Sequence, residues 1–461
     1  MKYCSTRGRV RDLSFSDAVM MGLASDGGLL LPETIPQLTQ QQLEAFSRLN
    51  YRDLAYEIIS LYATDVPAAD LRRLVDTSYA SFNHPDITPV VKQGDMYILE
   101  LFHGPTLAFK DVALQFLGNL FEYYLTKDNK KLNIIGATSG DTGSAAIAGV
   151  RGKKNINIFI LFPYGRISSV QEMQMTTVAD ANVFNIAIDG SFDDAQAIVK
   201  KVFGDAQFKH KHALGAINSI NWVRVLAQIV YYFYAYFRVQ EQTGCNEVQF
   251  SVPTGNFGDI FAGYMARQMG LPASQLILAT NSNNILSRFV NQGDYSLAKV
   301  HHSLSPSMDI QVASNFERYL YYLYDCRPEK VVTAMRNFAA DGCISFNETE
   351  QLRVRQDFRA ATIDDQQTLE QIRCFYLETG YILDPHTAVG IAAGYEFDGK
   401  IPRICLATAH PAKFPEAIEQ ALGIEPPTLP TIEALREKPC FCTRMPADVA
   451  AIKHLLTKKA L

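Results

Sequence analysis

Basic excess is missing from this 461-residue sequence: 43 Lys and Arg stand against 48 Asp and Glu, a formal net charge of −5. Without a positive field a polyanion gains nothing from counterion release, so nucleic acid is excluded as a first partner. Cysteine is sparse, with eight residues, and Cys4, Cys245, Cys326, Cys343, Cys374 and Cys405 lie scattered without metal-ligand spacing. Cys440 and Cys442 form a C-x-C with no second pair or histidine cluster beside them, so no metal is expected and reduced thiols are. His210 and His212 make a similar isolated H-x-H between lysines, read as a solvated charged segment.

Long hydrophobic runs are also missing. The most apolar stretch, 223–237, carries Gln228 and four tyrosines and is shorter than the roughly 20 residues that span a bilayer. It reads as a buried helix, and no membrane partner is expected. Residues 1–17 hold Arg7, Arg9 and Arg11 but neither an apolar core nor a small-residue cleavage site, which leaves a cytoplasmic address as the expectation. There is no internal repeat and no low-complexity tract.

What is present is an ordinary globular balance, 48% hydrophobic and 20% charged, at about three times the ~150 residues used as a soft prior for one domain. Short β-branched runs at 97–101, 132–135, 156–162, 183–188, 248–252, 276–279 and 404–407 are mostly followed by helical periodicity. Strand then helix, repeated, predicts an α/β protein with mostly parallel sheets. Residues 1–95 lack that strand rhythm and read as a helical N-terminal portion. Two α/β lobes are expected over 96–245 and 246–423, and a Pro-rich stretch (Pro426, Pro427, Pro430) opens a C-terminal extension over 424–461.

Four segments put glycines and small hydroxyl residues at the carboxyl end of a predicted strand, where open α/β folds bind ligands. In the first, 103–111, Lys110 begins an apolar helix among Leu107, Ala108 and Phe109. Desolvation disfavours an ammonium, so a lysine so placed can serve as a nucleophilic amine; taken alone, the segment favours a solvated surface lysine at a helix start, until the other segments are added. In the second, 136–146, Ser139, Gly140, Asp141 and Thr142 open a small-residue helix whose free N–H groups suit a carboxylate or phosphate. The third, 253–259, offers Gly255, Asn256, Phe257 and Gly258 as a phosphate-sized loop before a helix. The fourth, 407–414, places Thr408 at a strand end with His410 and Lys413 after it. A reactive lysine, an anion loop, a phosphate loop and a hydroxyl are the parts a pyridoxal phosphate site needs.

These segments resemble those of the threonine synthase family, pyridoxal phosphate enzymes of the tryptophan-synthase-like fold type. The resemblance continues in Tyr3-Cys4-Ser5-Thr6-Arg7-Gly8, Ser25-Asp26-Gly27-Gly28, 218–222, 305–310 and 314–318. Asp141 stands where the wider fold type more often has Asn, as is usual in this branch. The resemblance implies two open α/β lobes with the cofactor in the cleft between them. Lys110 would form the Schiff base and afterwards move protons as a free amine. Gly255, Asn256, Phe257 and Gly258 would hold the cofactor phosphate, and Ser139, Gly140, Asp141 and Thr142 would face the substrate carboxylate and the ring. Thr408 would meet the pyridine nitrogen. The implied reaction converts O-phospho-L-homoserine and water to L-threonine and phosphate, with Arg224 and Lys413 as candidate cations for the substrate phosphate and a monomer as the expected state. A phospho-lyase releasing phosphate, ammonia and 2-oxobutanoate begins from the same groups, and a non-catalytic ligand-binding protein on the same fold is the alternative of another class.

Overall fold

A computed structural model describes residues 1–461 apart from Ser139, Asp398 and Pro427. It divides into two compact units, one of Met1–His103 with Ser219–Pro426, the other of Gly104–Asn218 with Pro427–Leu461. The first is built on a six-stranded sheet ordered Phe358–Thr362, Ala273–Thr280, Val248–Pro253, Arg403–Ala407, Met96–Glu100, Val90–Gln93. All neighbours run parallel except the last pair. The second holds a five-stranded parallel sheet ordered Thr443–Pro446, Val183–Asp189, Ile156–Pro163, Leu132–Ala137, Leu214–Gly215. Ile156–Pro163 is buried along its whole length, as a central parallel strand with helices on its faces must be.

The expected α/β class with mostly parallel sheets is the one observed, and the domain boundaries are corrected. The expected division near Cys245 gives way because the helix Trp222–Thr243, buried over most of its length, packs on Gly258–Gln268 and Tyr51–Ser60 of the six-stranded unit. The N-terminal portion belongs to that unit too, and it is not wholly helical: Tyr3–Ser5 pairs antiparallel with Leu30–Pro32. Nor is 424–461 an appendage. Thr443–Pro446 adds the edge strand of the five-stranded sheet, and Ile452 and Leu456 of the last helix enter its apolar core. Both elements are short and rich in polar residues, so burial that depends on a distant partner left little local pattern.

Candidate active site

In the five-stranded unit, Lys110 opens the helix Lys110–Lys127, and Asp141 opens the helix Asp141–Val150 directly after the strand Leu132–Ala137. The two helices cross with glycine against backbone: a Cβ on Gly149 would stand 2.5 Å from the Leu114 carbonyl, and one on Gly118 would overlap the Gly149 carbonyl. Only glycine permits that approach. It brings Lys110 Nζ to 3.5 Å from Asp141 Oδ2, with the lysine 8% and the aspartate 4% exposed. The other carboxylate oxygen, Oδ1, accepts from Gln171 Nε2 at 2.8 Å. Gly140 lies at φ 146°, a region closed to other residues, and a side chain there would collide with the Gln171 amide. Thr138 ties the loop from inside: its hydroxyl accepts from the Gly140 and Gly143 N–H groups at 3.0 and 2.9 Å. Thr142 is the second residue of the helix; Ser139 lies outside the described residues. Asp111 holds the preceding turn: it is fully buried and accepts from Thr106 N and Oγ1 at 2.8 and 2.7 Å.

In the six-stranded unit, Gly255, Asn256, Phe257 and Gly258 follow the strand Val248–Pro253, and Thr408 follows its parallel neighbour Arg403–Ala407. The pairing sets the loop and the hydroxyl side by side at carboxyl strand ends. Phe257 caps the helix Gly258–Gln268 in the left-handed region (φ 62°) and gives no side-chain cap. Such a backbone costs about 1–2 kcal/mol for a non-glycine residue; the fully buried ring, packed on Phe316, Tyr319 and Phe358, offsets it. The first-turn N–H groups then have no intrahelical acceptor and point out of the loop as a ready anion site. The loop is held from behind: the Asn256 carbonyl accepts from Asn315 N at 3.0 Å and Nδ2 at 3.1 Å, and Asn256 Oδ1 accepts from Ser314 Oγ at 3.1 Å.

The segments shared with the family meet here. Glu317 accepts from Thr6 and Arg7, and buried Arg318 donates to the carbonyls of Leu30 and Ile220. Four stretches far apart in sequence, at 6–7, 30, 220 and 314–318, are thus joined behind the loop.

Electrostatics in this unit come mainly from burial. Asp259 sits two residues past Phe257; burial pushes its carboxyl up to about 7, although Tyr231 and Tyr232 donate to it. Arg224 is 5% exposed, its guanidinium brought down to about 10 by burial, and neither Nε nor Nη1 has a hydrogen-bond partner among the described residues. Lys413 is fully buried, so neither candidate cation is a rim charge. His410 accepts from Ala412 N through Nδ1 at 3.1 Å, and burial lowers it to about 4. It is therefore neutral near pH 7, a loop-orienting residue. His103 Nε2 lies 2.7 Å from Glu100 Oε2. His212 corrects the reading of its segment as solvated: it is buried, its ring 4.4 Å from Phe208. The described residues contain no group of histidine, cysteine and carboxylate side chains that could hold a metal. Sequence reading missed Gln171, whose only signal is contact across the fold, and gave no role to Asp259, Ser314 and Asn315 although the segments that hold them stood out.

The parts are of the kinds a pyridoxal phosphate site uses: in the five-stranded unit a buried amine with a carboxylate beside it, and in the six-stranded unit a glycine loop with helix-start amides and a hydroxyl at the adjoining strand end. A family of pyridoxal-phosphate dependent enzymes matches residues 87–349, so the chain is an enzyme of that class. Families of the threonine synthase N terminus and C-terminal region match residues 2–79 and 387–456. The threonine synthase of Schizosaccharomyces pombe is 47% identical over 92% of this chain and 90% of its own length. That of Pseudomonas aeruginosa is 46% identical over 99% and 98%. A crystal structure of threonine synthase from Brucella melitensis with bound PLP superposes with a TM-score of 0.97 at 42% identity, covering 100% of this chain and 99% of that one. The chain belongs to the threonine synthase family.

Proposed function

We propose that this enzyme converts O-phospho-L-homoserine and water to L-threonine and phosphate. The observation that carries the reading is the buried Lys110–Asp141 pair at a helix start. Pyridoxal phosphate, when bound, supplies a carbonyl that joins an amine and a ring that draws electron density from the attached carbon. Lys110 is the amine for that chemistry; as a free amine it would take protons from Cα and Cβ of the substrate and return one to Cγ and one to Cα, while water supplies the hydroxyl at Cβ and the proton that leaves with phosphate. A base for repeated transfers needs a proton affinity near the working pH, and Asp141, itself held by Gln171, fixes the amine's position and its charge.

Gly255, Asn256, Phe257 and Gly258 hold the cofactor phosphate with backbone N–H groups and the dipole of the following helix. Thr408 offers a neutral hydroxyl to the ring nitrogen. Ser139, Gly140, Asp141 and Thr142 face the substrate carboxylate and the ring. Arg224 and Lys413 take the substrate phosphate. A guanidinium buried with two unpartnered nitrogens is costly unless an anion completes it, which supports Arg224 in that role. Departure of phosphate from Cγ and addition of water at Cβ give threonine. The enzyme acts as a cytoplasmic monomer on a free small molecule in this reading; among the described residues no helix is long and apolar enough to cross a membrane.

Purified protein given O-phospho-L-homoserine should absorb near ~410 nm, where protonated Schiff bases of this cofactor lie, and release threonine and phosphate in equal amounts. Phosphate and ammonia with 2-oxobutanoate in place of threonine would instead assign the phospho-lyase outcome. Absence of the absorbance and of any turnover would return the chain to a binding role.

A further inference from the structure

One histidine outside all of these segments is tied by hydrogen bonds to a short segment that packs directly on the phosphate loop. Asp384 caps the helix Pro385–Tyr395 and is 1% exposed. Its Oδ1 meets both the backbone N and the ring Nδ1 of His386 at 2.9 Å, and its Oδ2 accepts from Thr387 N and Oγ1. A carboxylate that caps a helix is an acceptor, so the proton of the buried imidazole is assigned to Nδ1. Nε2 is then left as a lone pair, and it accepts from Ser307 N at 3.2 Å. The same short segment is pinned at its other end: Asp309 accepts from Asn281 Nδ2 at 2.8 Å, Asn283 Nδ2 at 3.0 Å and Ser303 Oγ at 2.6 Å. Between the two anchors the segment lies against the loop. A Cβ on Gly255 would stand 2.7 Å from the Ser307 carbonyl oxygen and 3.2 Å from Met308 Cα. Asn315 and Ser314 brace the loop at Asn256, so the segment is a second wall on Gly255.

We propose that His386 is a positioning residue for cofactor binding, which acts by holding Ser307 and Met308 against Gly255 so that the phosphate loop is set before phosphate arrives. The inference rests on the assignment of 255–258 as the phosphate loop. A loop already in its bound geometry spends no binding energy on ordering. Removing the acceptor leaves the Ser307 N–H without its partner and lets the wall recede, loosening the amides that meet the dianion.

The test uses the full-length enzyme, stripped of cofactor with hydroxylamine and titrated with pyridoxal phosphate, with the ³¹P resonance of the bound cofactor as a second readout. His386→Leu and His386→Asn should each weaken binding by roughly 5- to 30-fold, the range expected for taking the acceptor from one partly buried donor, and should shift the phosphorus resonance. His386→Gln, whose Oε1 reaches the place of Nε2, should restore most of the affinity and the wild-type resonance. If His386→Leu does not fold, the Asn and Gln variants carry the comparison, and equal affinities for those two overturn the proposal. Affinity within twofold of wild type for His386→Leu overturns it as well. Gly255→Ala separates the inference from its foundation: its Cβ meets the Ser307 carbonyl, so it should weaken cofactor binding at least tenfold. If it does so while His386→Leu does not, the role of His386 alone falls. If Gly255→Ala binds normally, the phosphate-loop assignment falls and takes this inference with it.

Discussion

In the five-stranded unit the polar groups at the strand end are charged side chains that answer one another: Lys110 faces Asp141, and Gln171 holds the far carboxylate oxygen. In the six-stranded unit the corresponding place is made of backbone. Gly255 to Gly258 present amides, and the side chains around them, Asn315, Ser314 and His386, hold carbonyls and N–H groups from behind. The difference follows from the work proposed for each unit. A group that accepts and returns protons has to change charge, and a neighbouring carboxylate stabilises its charged form. A site for a permanent dianion gains most from amides fixed in advance by the fold.

If that contrast is sound, the largest effect belongs to the proton-moving side. Lys110→Ala should reduce threonine formation by at least ~10³-fold, the scale of losing a positioned acid–base group that is also the nucleophile, and should abolish absorbance near 410 nm after cofactor addition, read by spectrophotometry and product assay. Activity within tenfold of wild type would take the reactive amine away from this unit. On the anion-holding side the effects are smaller and appear in binding. Arg224→Met, similar in length and uncharged, should raise KM for O-phospho-L-homoserine by about 10- to 100-fold, the loss of one charge-assisted pair, with a lesser change in kcat. It should not lower the melting temperature of the ligand-free protein, since a buried guanidinium with two orphan nitrogens stabilises nothing there. A fall in melting temperature with unchanged KM would make Arg224 structural.

The smallest effect concerns Asp259 and depends on pH. Its carboxyl has a folded pKa of about 7 against an ordinary 3.8, so the folded state holds the proton more tightly. The stability this brings is complete below pH 3.8 and is lost as pH rises through 7, a swing of up to roughly 4 kcal/mol at 1.36 kcal/mol per unit. Asp259→Asn keeps an acceptor for Tyr231 and Tyr232 and has no charge to bury. Relative to wild type it should gain stability between pH 5 and pH 8 in denaturant melts. A pH-independent difference would mean that the carboxyl titrates normally.

The alternation of strands and helices was legible because each strand is an apolar run bounded by glycine or proline, and periodicity is a local property. The strand 248–252 is observed as Val248–Pro253 and 404–407 as Arg403–Ala407. The four chemical segments were legible for a related reason: a loop at a strand end that must admit a ligand carries glycines and hydroxyls in sequence. What stayed hidden depends on partners. Phe358–Thr362 and Thr443–Pro446 are edge strands with polar residues on them, and each is a strand only because a long neighbour offers hydrogen bonds. Asp259 owes its burial to contact with Tyr231 and Tyr232, 28 and 27 residues earlier, which no local pattern marks.

By itself the sequence determined the fold class, the order of its strands along the chain, the absence of a basic field, and the glycine- and hydroxyl-rich make-up of each strand-end loop, because all of these follow from composition and short spacing. Tertiary structure alone decided that residues 219–245 join the six-stranded unit, that Arg224 and Lys413 are buried rather than exposed, and that Gln171 and His386 stand behind the lysine and the phosphate loop. Those properties arise where segments separated in sequence come into contact, 30 residues apart for Gln171 and Asp141 and 79 for His386 and Ser307. Burial and a hydrogen-bond partner are features of that contact and of no residue taken singly.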